Sequence, residues 1–254
     1  MKVLAVIPAR LGATRLPRKP LRLLGGAPLV VRVLERVRSL GLADHVVVAT
    51  EAEEVAAVVR AAGGDAVLTS EHHLSGTDRV AEVATQPAYA GYELVVNVQG
   101  DEPFMRGDAM AGAIAMVRDH GFDLGTAAGR RGPEILTDPN CVKVVRAADG
   151  RALYFSRAAI PHLREAEDQA LRDTLVVQHM GIYAARRDAL LRWVSWPPHP
   201  LELVEKLEQL RALAGGLAMG VAIVEAPSWG EVNTEEDLMR ANTQWAAETA
   251  GAAV

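Results

Sequence analysis

Cysteine occurs once in the 254-residue chain, as Cys141, which excludes an internal disulfide framework and a cysteine-rich zinc site. A reducing cytoplasm is the expected compartment, and Cys141 reads as a small buried residue of an apolar strand. Basic residues are also short: 27 Lys and Arg against 32 Asp and Glu leave a net charge of -5. A surface that tracks nucleic-acid phosphates carries the opposite excess, so no nucleic-acid partner is expected and any anion must be held locally. Lysine is confined to Lys2, Lys19, Lys143 and Lys206 among abundant Arg, Ala and Gly, which reads as the bias of a GC-rich genome. Long hydrophobic runs are missing too. Only five residues separate Lys2 from Pro8, far short of a signal-peptide core or a membrane span, so no membrane association is expected. The chain has no internal repeat, low-complexity tract, Walker A lysine pattern or GxGxxG, which removes the P-loop and dinucleotide-binding readings.

What is there is half apolar and 23% charged, the composition of an ordinary globular protein. The length fits a single large α/β domain, residues 1–254. Short apolar runs alternate with helical patterns, which predicts a Rossmann-like fold: a mostly parallel sheet flanked by helices. Strands are expected at Val3 to Ile7, Val46 to Thr50, Ala66 to Thr69, Leu94 to Val98 and Met219 to Glu225. Val30, Val33, Leu34 and Val37 recur at helical spacing. A helix around Val55 to Ala62 ends at Gly63-Gly64, and another closes the chain from Thr234. After about residue 125 the pattern changes, with strands at Cys141 to Arg146, Ala152 to Ser156 and Val176 to Ala184 and a polar loop near 163–173. Residues 125–190 therefore read as a mixed-sheet subdomain. Leu201, Val204, Leu207, Leu210 and Leu213 form one further helical pattern. Ligands of open α/β sheets collect at the carboxyl ends of strands, so the loops after residues 7, 50, 69 and 98 are expected to share one mouth.

The first of these loops, Pro8 to Pro20, holds Arg10, Arg15, Arg18 and Lys19 within ten residues. Small residues let backbone N–H groups approach an anion, while Arg forks and a Lys point charge neutralise phosphate oxygens, a combination suited to a triphosphate. The alternative for such a loop is a solvated basic turn. Asp101, at the end of the apolar run Leu94 to Val98, is the first choice for a metal carboxylate. A bound triphosphate calls for charge neutralisation that Mg²⁺ provides with one or two carboxylates plus phosphate oxygens. Gly100 beside it would let a nucleotide approach the backbone. The alternative for Asp101 is a turn or helix cap.

The loop spacing resembles the signature of sugar nucleotidyltransferases. More narrowly, PAR at 8–10 with TRLP at 14–17 and KPL at 19–21 resembles the opening of the CMP-Kdo synthetase family, which activates 3-deoxy-manno-octulosonate (Kdo) with CTP. The likeness runs in order through His73 with Ser75-Gly76-Thr77-Asp78-Arg79, VNVQGDEP at 96–103, Pro139-Asn140 with VKVV at 142–145, YFSRAAIP at 154–161, QHMGIY at 178–183 and LEQLR at 207–211. It implies a cytoplasmic, homodimeric cytidylyltransferase, dimerised through the mid-chain subdomain, that transfers CMP from CTP to a small acid and releases pyrophosphate. Arg10, Arg15, Lys19 and Asp101 would be catalytic. Pro8, Ala9, Gly12, Thr14, Thr50, Ser75, Gly76, Thr77, Arg79, Gln99 and Gly100 would bind the nucleotide. Arg157, His179, Tyr183, Glu208, Gln209 and Arg211 would line the acceptor pocket, where Arg grips a carboxylate and the others hydrogen-bond hydroxyls. The alternatives are that His179 is a satisfied core histidine and that Glu208 with Arg211 is an exposed i,i+3 pair on a helix.

Three positions depart from the family. Ala13 and Arg18 stand where Ser and Gly are usual, the first removing a hydroxyl and the second adding a cation. Asn233, in Val232-Asn233-Thr234-Glu235-Glu236-Asp237-Leu238, stands where a second metal-binding Asp is expected; an amide oxygen coordinates Mg²⁺ without supplying charge. Asn233 or Thr234 could instead cap the final helix, with Asp237 in its first turn. The departures keep two other readings open: transfer of CMP to a different acid, such as a small phosphonate or modified ulosonate, and a catalytically inactive nucleotide-binding regulator.

Overall fold

The structure is a computed structural model that describes residues 1–12, 15–73, 75–225 and 230–251. Its strands are β1 (Val3–Ala9), β2 (Leu23–Leu24), β3 (Ala27–Pro28), β4 (His45–Thr50), β5 (Asp65–Leu68), β6 (Leu94–Asn97), β7 (Leu124–Arg130), β8 (Lys143–Arg146), β9 (Ala152–Ser156), β10 (Val177–Arg186) and β11 (Met219–Val224). The helices are α1 (Leu29–Ser39), α2 (Glu53–Ala61), α3 (Gly76–Thr85), α4 (Gly107–Arg118), α5 (Gln169–Thr174), α6 (Arg187–Ser195), α7 (Pro200–Glu205), α8 (Gln209–Ala214) and α9 (Glu235–Gly251). The chain divides into two compact units. A terminal unit comprises the described residues of 2–92, 97–105 and 229–254, and a central unit those of 93–96 and 106–228 together with Met1. The class is α/β, with parallel strands flanked by helices and a smaller antiparallel part.

In the terminal unit β1 pairs in parallel with β4, and β4 with β5. Parallel strands covered on both faces need apolar residues throughout, and Val3 to Ile7 and Val46 to Ala49 are buried. Leu29, Val30, Val33, Leu34 and Val37 form the buried stripe of α1. The expected glycine stop of α2 is present: Gly63 adopts φ +71° just beyond the helix. A separate cluster of Leu16, Leu24, Leu29, Val232, Leu238 and Ala241, with Phe104 and Trp245 against it, joins the basic loop to the start of α9. That cluster brings Lys19 and Asn233, distant in sequence, to one place.

In the central unit β7 lies between β11, parallel, and β10, antiparallel, while β8 and β9 form an antiparallel hairpin that bridges to β10 at Gln178 and Lys143. Helix α4 packs on this sheet with little room to spare. A Cβ on Gly125 would lie 2.0 Å from Ala113 O, so the backbones meet where only glycine fits. Lys143 is fully buried, and its Nζ donates to the carbonyls of Asp138, Cys141 and Arg157 at 3.0, 2.6 and 2.5 Å. Burial lowers the basicity of this ammonium, and three carbonyl dipoles stand in for its lost water.

Several sequence expectations change here. The stretch 163–173, expected as a polar loop, contains a 3₁₀ turn at Ala166–Asp168 and most of α5. The single helical pattern at 201–213 is two short helices, because Lys206 between them takes a left-handed conformation with φ 55°. Cys141 precedes β8 instead of lying in it and is only half-buried, with its thiol 3.4 Å from Asp138 Oδ2. Elements β2, β3, α3, α4, β7 and α6 have no counterpart among the elements expected from the sequence. Among the described residues no helix is long and apolar enough to cross a membrane.

Candidate functional site

The carboxyl ends of β1 and β5, the segment after β6 and the approach to α9 border a cavity of about 360 Å³ in the terminal unit. Its lining includes Pro8, Ala9, Arg10, Arg15, Lys19, Ser75, Gly76, Arg79, Gln99, Gly100, Asp101 and Asn233. Volume of this order suits a nucleotide-sized ligand. Of the four loops expected to meet, those after residues 7, 69 and 98 contribute lining. The one after residue 50 instead contributes Glu51, whose Oε1 accepts from Leu11 N at 2.9 Å and whose Oε2 pairs with Arg79 at 2.9 Å. Glu51 was not singled out in the sequence, because nothing local marks an acid after a strand as the link between two distant segments.

Arg79 is buried, held by Glu51 on one side and by Thr69 Oγ1 on the other. Ser75 to Arg79 caps and begins α3: Ser75 Oγ accepts from Asp78 N at 3.1 Å and Asp78 Oδ2 accepts from Ser75 N at 3.1 Å, a capping box. The cap fixes the helix terminus at the cavity wall. Gly100 has a reason beyond ligand approach, since a Cβ there would lie 2.5 Å from Pro8 O. The close contact sets the Gln99 to Asp101 segment directly against the end of β1.

Three nucleotide-binding candidates do not line the cavity. Thr50 is buried, with Oγ1 accepting from Ala52 N at 3.2 Å, and Thr77 is buried beneath Asn97 Nδ2 at 3.2 Å. Gly12 is exposed outside the lining. Thr14, with Ala13, lies outside the described residues. Arg18 also behaves differently from the expectation of an added phosphate cation. It sits at φ 55°, a conformation that suits glycine, and its guanidinium forms a two-pronged pair with Glu54 at 3.1 and 2.5 Å, outside the lining.

Lys19 Nζ donates to Asp101 Oδ2 at 2.6 Å and to Asn233 Oδ1 at 3.0 Å. Helix α9 is capped by Thr234, not Asn233: Thr234 Oγ1 accepts from Asp237 N at 3.1 Å and Asp237 Oδ2 accepts from Thr234 N at 2.8 Å. The Asn233 side chain is thereby left to face Lys19 and, at 2.6 Å from Nδ2, Glu231 Oε2. Burial, and then the charges of Glu231 and Asp101, hold Glu102 well above the usual carboxylate range, and its Oε2 is buried without a hydrogen-bond partner. Among the described residues no three His, Cys, Asp or Glu side chains form a metal cage. Two oxygens of Asp101 and Asn233 nonetheless converge on one cationic centre, the ammonium, and so form a donor set that fits a Mg²⁺ ion completed by phosphate oxygens and water.

The acceptor candidates all belong to the central unit. Arg157 donates from Nε to Glu205 O at 2.8 Å and from Nη1 to Pro139 O at 2.9 Å, so much of its guanidinium anchors backbone. His179 packs edge-on to Phe155 at 4.8 Å between centroids and lies 5.6 Å from Tyr183. Thr126 Oγ1 is 2.9 Å from His179 Nε2 and also 2.7 Å from Ile182 O. With the hydroxyl proton given to the carbonyl, the imidazole donates from Nε2. Enclosure of the ring lowers its pKa to about 3, so it is a neutral hydrogen-bonding group. Gln209 is buried with Nε2 lacking a partner, and Glu208 precedes it at the start of α8. Arg211 is not on the surface: it is buried, 3.2 Å from Glu202 Oε2 and 3.1 Å from Trp196 O.

The cytidylyltransferase family profile matches residues 4–219. A 3-deoxy-manno-octulosonate cytidylyltransferase of Gemmatimonas aurantiaca is 59% identical over 245 residues, 96% of this chain and 95% of that protein. Among solved structures, a CMP:2-keto-3-deoxy-manno-octonic acid synthetase complexed with CTP superposes with a TM-score of 0.89 at 35% identity, covering 98% of this chain and 100% of the other. A 4-diphosphocytidyl-2C-methyl-D-erythritol synthase from Anaerococcus prevotii shares the fold, with a TM-score of 0.60 at 14% identity over 96% of this chain and 97% of the other. The chain belongs to the cytidylyltransferase family and, within it, to the 3-deoxy-manno-octulosonate cytidylyltransferases, the CMP-Kdo synthetases.

Proposed function

We propose that the protein transfers CMP from CTP to 3-deoxy-manno-octulosonate with release of pyrophosphate, as a cytoplasmic, Mg²⁺-dependent homodimer. The observation that carries this reading is the cavity with Arg10, Arg15, Lys19 and Arg79 on its walls and Asp101 among them, in a chain of this family. A hydroxyl oxygen of the acceptor forms the new bond to the α-phosphorus, the bond to the bridging oxygen of pyrophosphate breaks in line, and the hydroxyl proton leaves to solvent. Arg10, Arg15 and Lys19 offset the charge gathering on the phosphate oxygens, so positioning and electrostatics supply the acceleration. Bound Mg²⁺, held by Asp101 and the Asn233 amide oxygen, would neutralise nonbridging and pyrophosphate oxygens. Gly76 and the first turn of α3 offer the nucleotide a backbone wall. Arg157, Tyr183, Glu208 and Gln209 offer hydrogen bonds to a polyhydroxy acid, with Nδ1 of the neutral His179 as an acceptor for a hydroxyl.

Pyrophosphate release from CTP and Mg²⁺ with Kdo, other ulosonates and small phosphonates tests this directly. Turnover with Kdo equal to or above that with any other acid supports it, and turnover only with a different acid sinks it. Binding of CTP without any turnover would point to a nucleotide-binding regulator instead.

A further inference from the structure

The two oxygens facing the Lys19 ammonium, Asp101 Oδ2 and Asn233 Oδ1, carry one formal negative charge between them. A second carboxylate stands directly behind the amide. Asn233 donates from Nδ2 to Glu231 Oε2 at 2.6 Å while its Oδ1 accepts from Lys19 at 3.0 Å. Only one orientation of the amide satisfies both partners, because the flipped one would set NH₂ against the ammonium and oxygen against the carboxylate. Glu231 therefore decides which atom of Asn233 faces the cation.

The backbone holds this arrangement in register, since Val232 N donates to Asp101 O at 2.9 Å and ties the Glu231 to Asn233 segment to the residue bearing the carboxylate. Glu231 is exposed as a residue, yet its carboxylate is held in place by the Asn233 amide. Glu102, only 4% exposed, with Oε2 unpartnered, interacts with the charges of Glu231 and Asp101. Asp101 contacts the ammonium directly and Glu231 contacts the amide that faces it, so two carboxylates serve a locus that holds one ammonium.

We propose that Glu231 is a positioning residue of the divalent-cation locus: through the Asn233 amide it aims Oδ1 at the cation and supplies the second negative charge that the amide lacks. The proposal rests on the reading of the chain as a Mg²⁺-dependent cytidylyltransferase. Replacing the charge while keeping an acceptor, as in Glu231→Gln, separates the electrostatic role from the orienting one, which Glu231→Leu also removes.

The test uses Mn²⁺ as a spectroscopic substitute. Its affinity for the full-length protein with an α,β-methylene analogue of CTP, without acceptor, is read by electron paramagnetic resonance. Glu231→Gln is expected to weaken Mn²⁺ binding by about tenfold and Glu231→Leu by more. Affinity for the analogue in EDTA should stay within about twofold, the range of a contact not made to the nucleotide. Adding Asn233→Asp to Glu231→Gln should restore Mn²⁺ binding by placing a carboxylate at the locus itself. Unchanged Mn²⁺ affinity in Glu231→Gln overturns the proposal, as does a loss that Asn233→Asp fails to rescue; should Glu231→Leu not fold, the Gln variant decides alone. Wild-type protein that takes up no Mn²⁺ with the analogue would overturn the metal-dependent reading underneath.

Discussion

Lys19 Nζ sits 2.6 Å from Asp101 Oδ2, although 82 residues separate them in the chain. The pair is only slightly exposed, with side chains at 17% and 14%, so water screens the charges weakly. A cation and an anion held together on the wall of a nucleotide-sized cavity neutralise each other until a substrate brings its own charges. On the proposed reading a bound triphosphate would recruit the ammonium, and the carboxylate would then be free to hold Mg²⁺. Asp101→Asn should therefore lower turnover by at least about a hundredfold, the scale of losing a principal electrostatic contact. CTP binding in EDTA should persist. Asn233→Asp should leave turnover unchanged or raised and reduce the Mg²⁺ concentration for half-maximal rate. Pyrophosphate release against Mg²⁺ concentration checks both, and full activity in Asp101→Asn would remove the assignment.

Glu51 joins the basic loop at Leu11 to the buried guanidinium of Arg79. Gln at this position keeps an acceptor for Leu11 N–H and loses the charge that holds Arg79. A loss of about 1.4 kcal/mol in holding that guanidinium at the cavity wall is a tenfold change in affinity. Glu51→Gln should raise KM for CTP by about tenfold and leave KM for the acceptor unaltered, measured by varying each substrate at saturation of the other. An acceptor-side effect of equal size would show that the variant disturbs more than the nucleotide site.

Arg18 holds a left-handed backbone and spends its guanidinium on Glu54. Replacement by Gly removes a backbone cost of about 1–2 kcal/mol and an exposed pair worth about 0–1 kcal/mol. Arg18→Gly should thus keep KM for CTP within about twofold of wild type and retain or improve the urea midpoint. A large rise in KM would place this cation among the phosphate contacts after all.

His179 is held neutral by enclosure of its ring, with a folded-state pKa of about 3 against about 6.5 for the unfolded chain. Below pH 6.5 the unfolded chain takes up a proton that the folded protein does not, so this residue removes stability as pH falls and has no effect above about pH 7. The loss amounts to about 2 kcal/mol by pH 5. His179→Gln, which keeps a donor for Thr126, should flatten the difference between urea midpoints at pH 8 and pH 5. Parallel pH profiles for the two proteins would show that the ring charges freely in the fold.

Runs whose meaning is local were legible from the residues alone. Continuous burial of Val3 to Ile7 and of Leu94 to Val98, the stripe on α1, and the glycine beyond α2 follow from side-chain period and backbone conformation. The basic loop and Asp101 were marked by composition and by position after apolar strands. Weak or mixed local signals hide other elements: the left-handed Lys206 that splits the 201–213 pattern is invisible to periodicity, and α5 is a helix with no buried residue to betray it.

The division at the site itself has the same physical origin. Residue types determined which chemistry was present: cations for phosphate, a carboxylate for a metal, an amide at position 233. Only tertiary structure decided which of them meet, because packing of Leu16 and Leu24 against Val232 and Leu238 brings segments more than 200 residues apart into one cluster. It assigned the cap of α9 to Thr234 and Arg18 to Glu54, and it placed Glu51 and Glu231 behind the residues that the sequence had singled out. Partners of this kind are chosen by distance in space, and distance in space is set by the core.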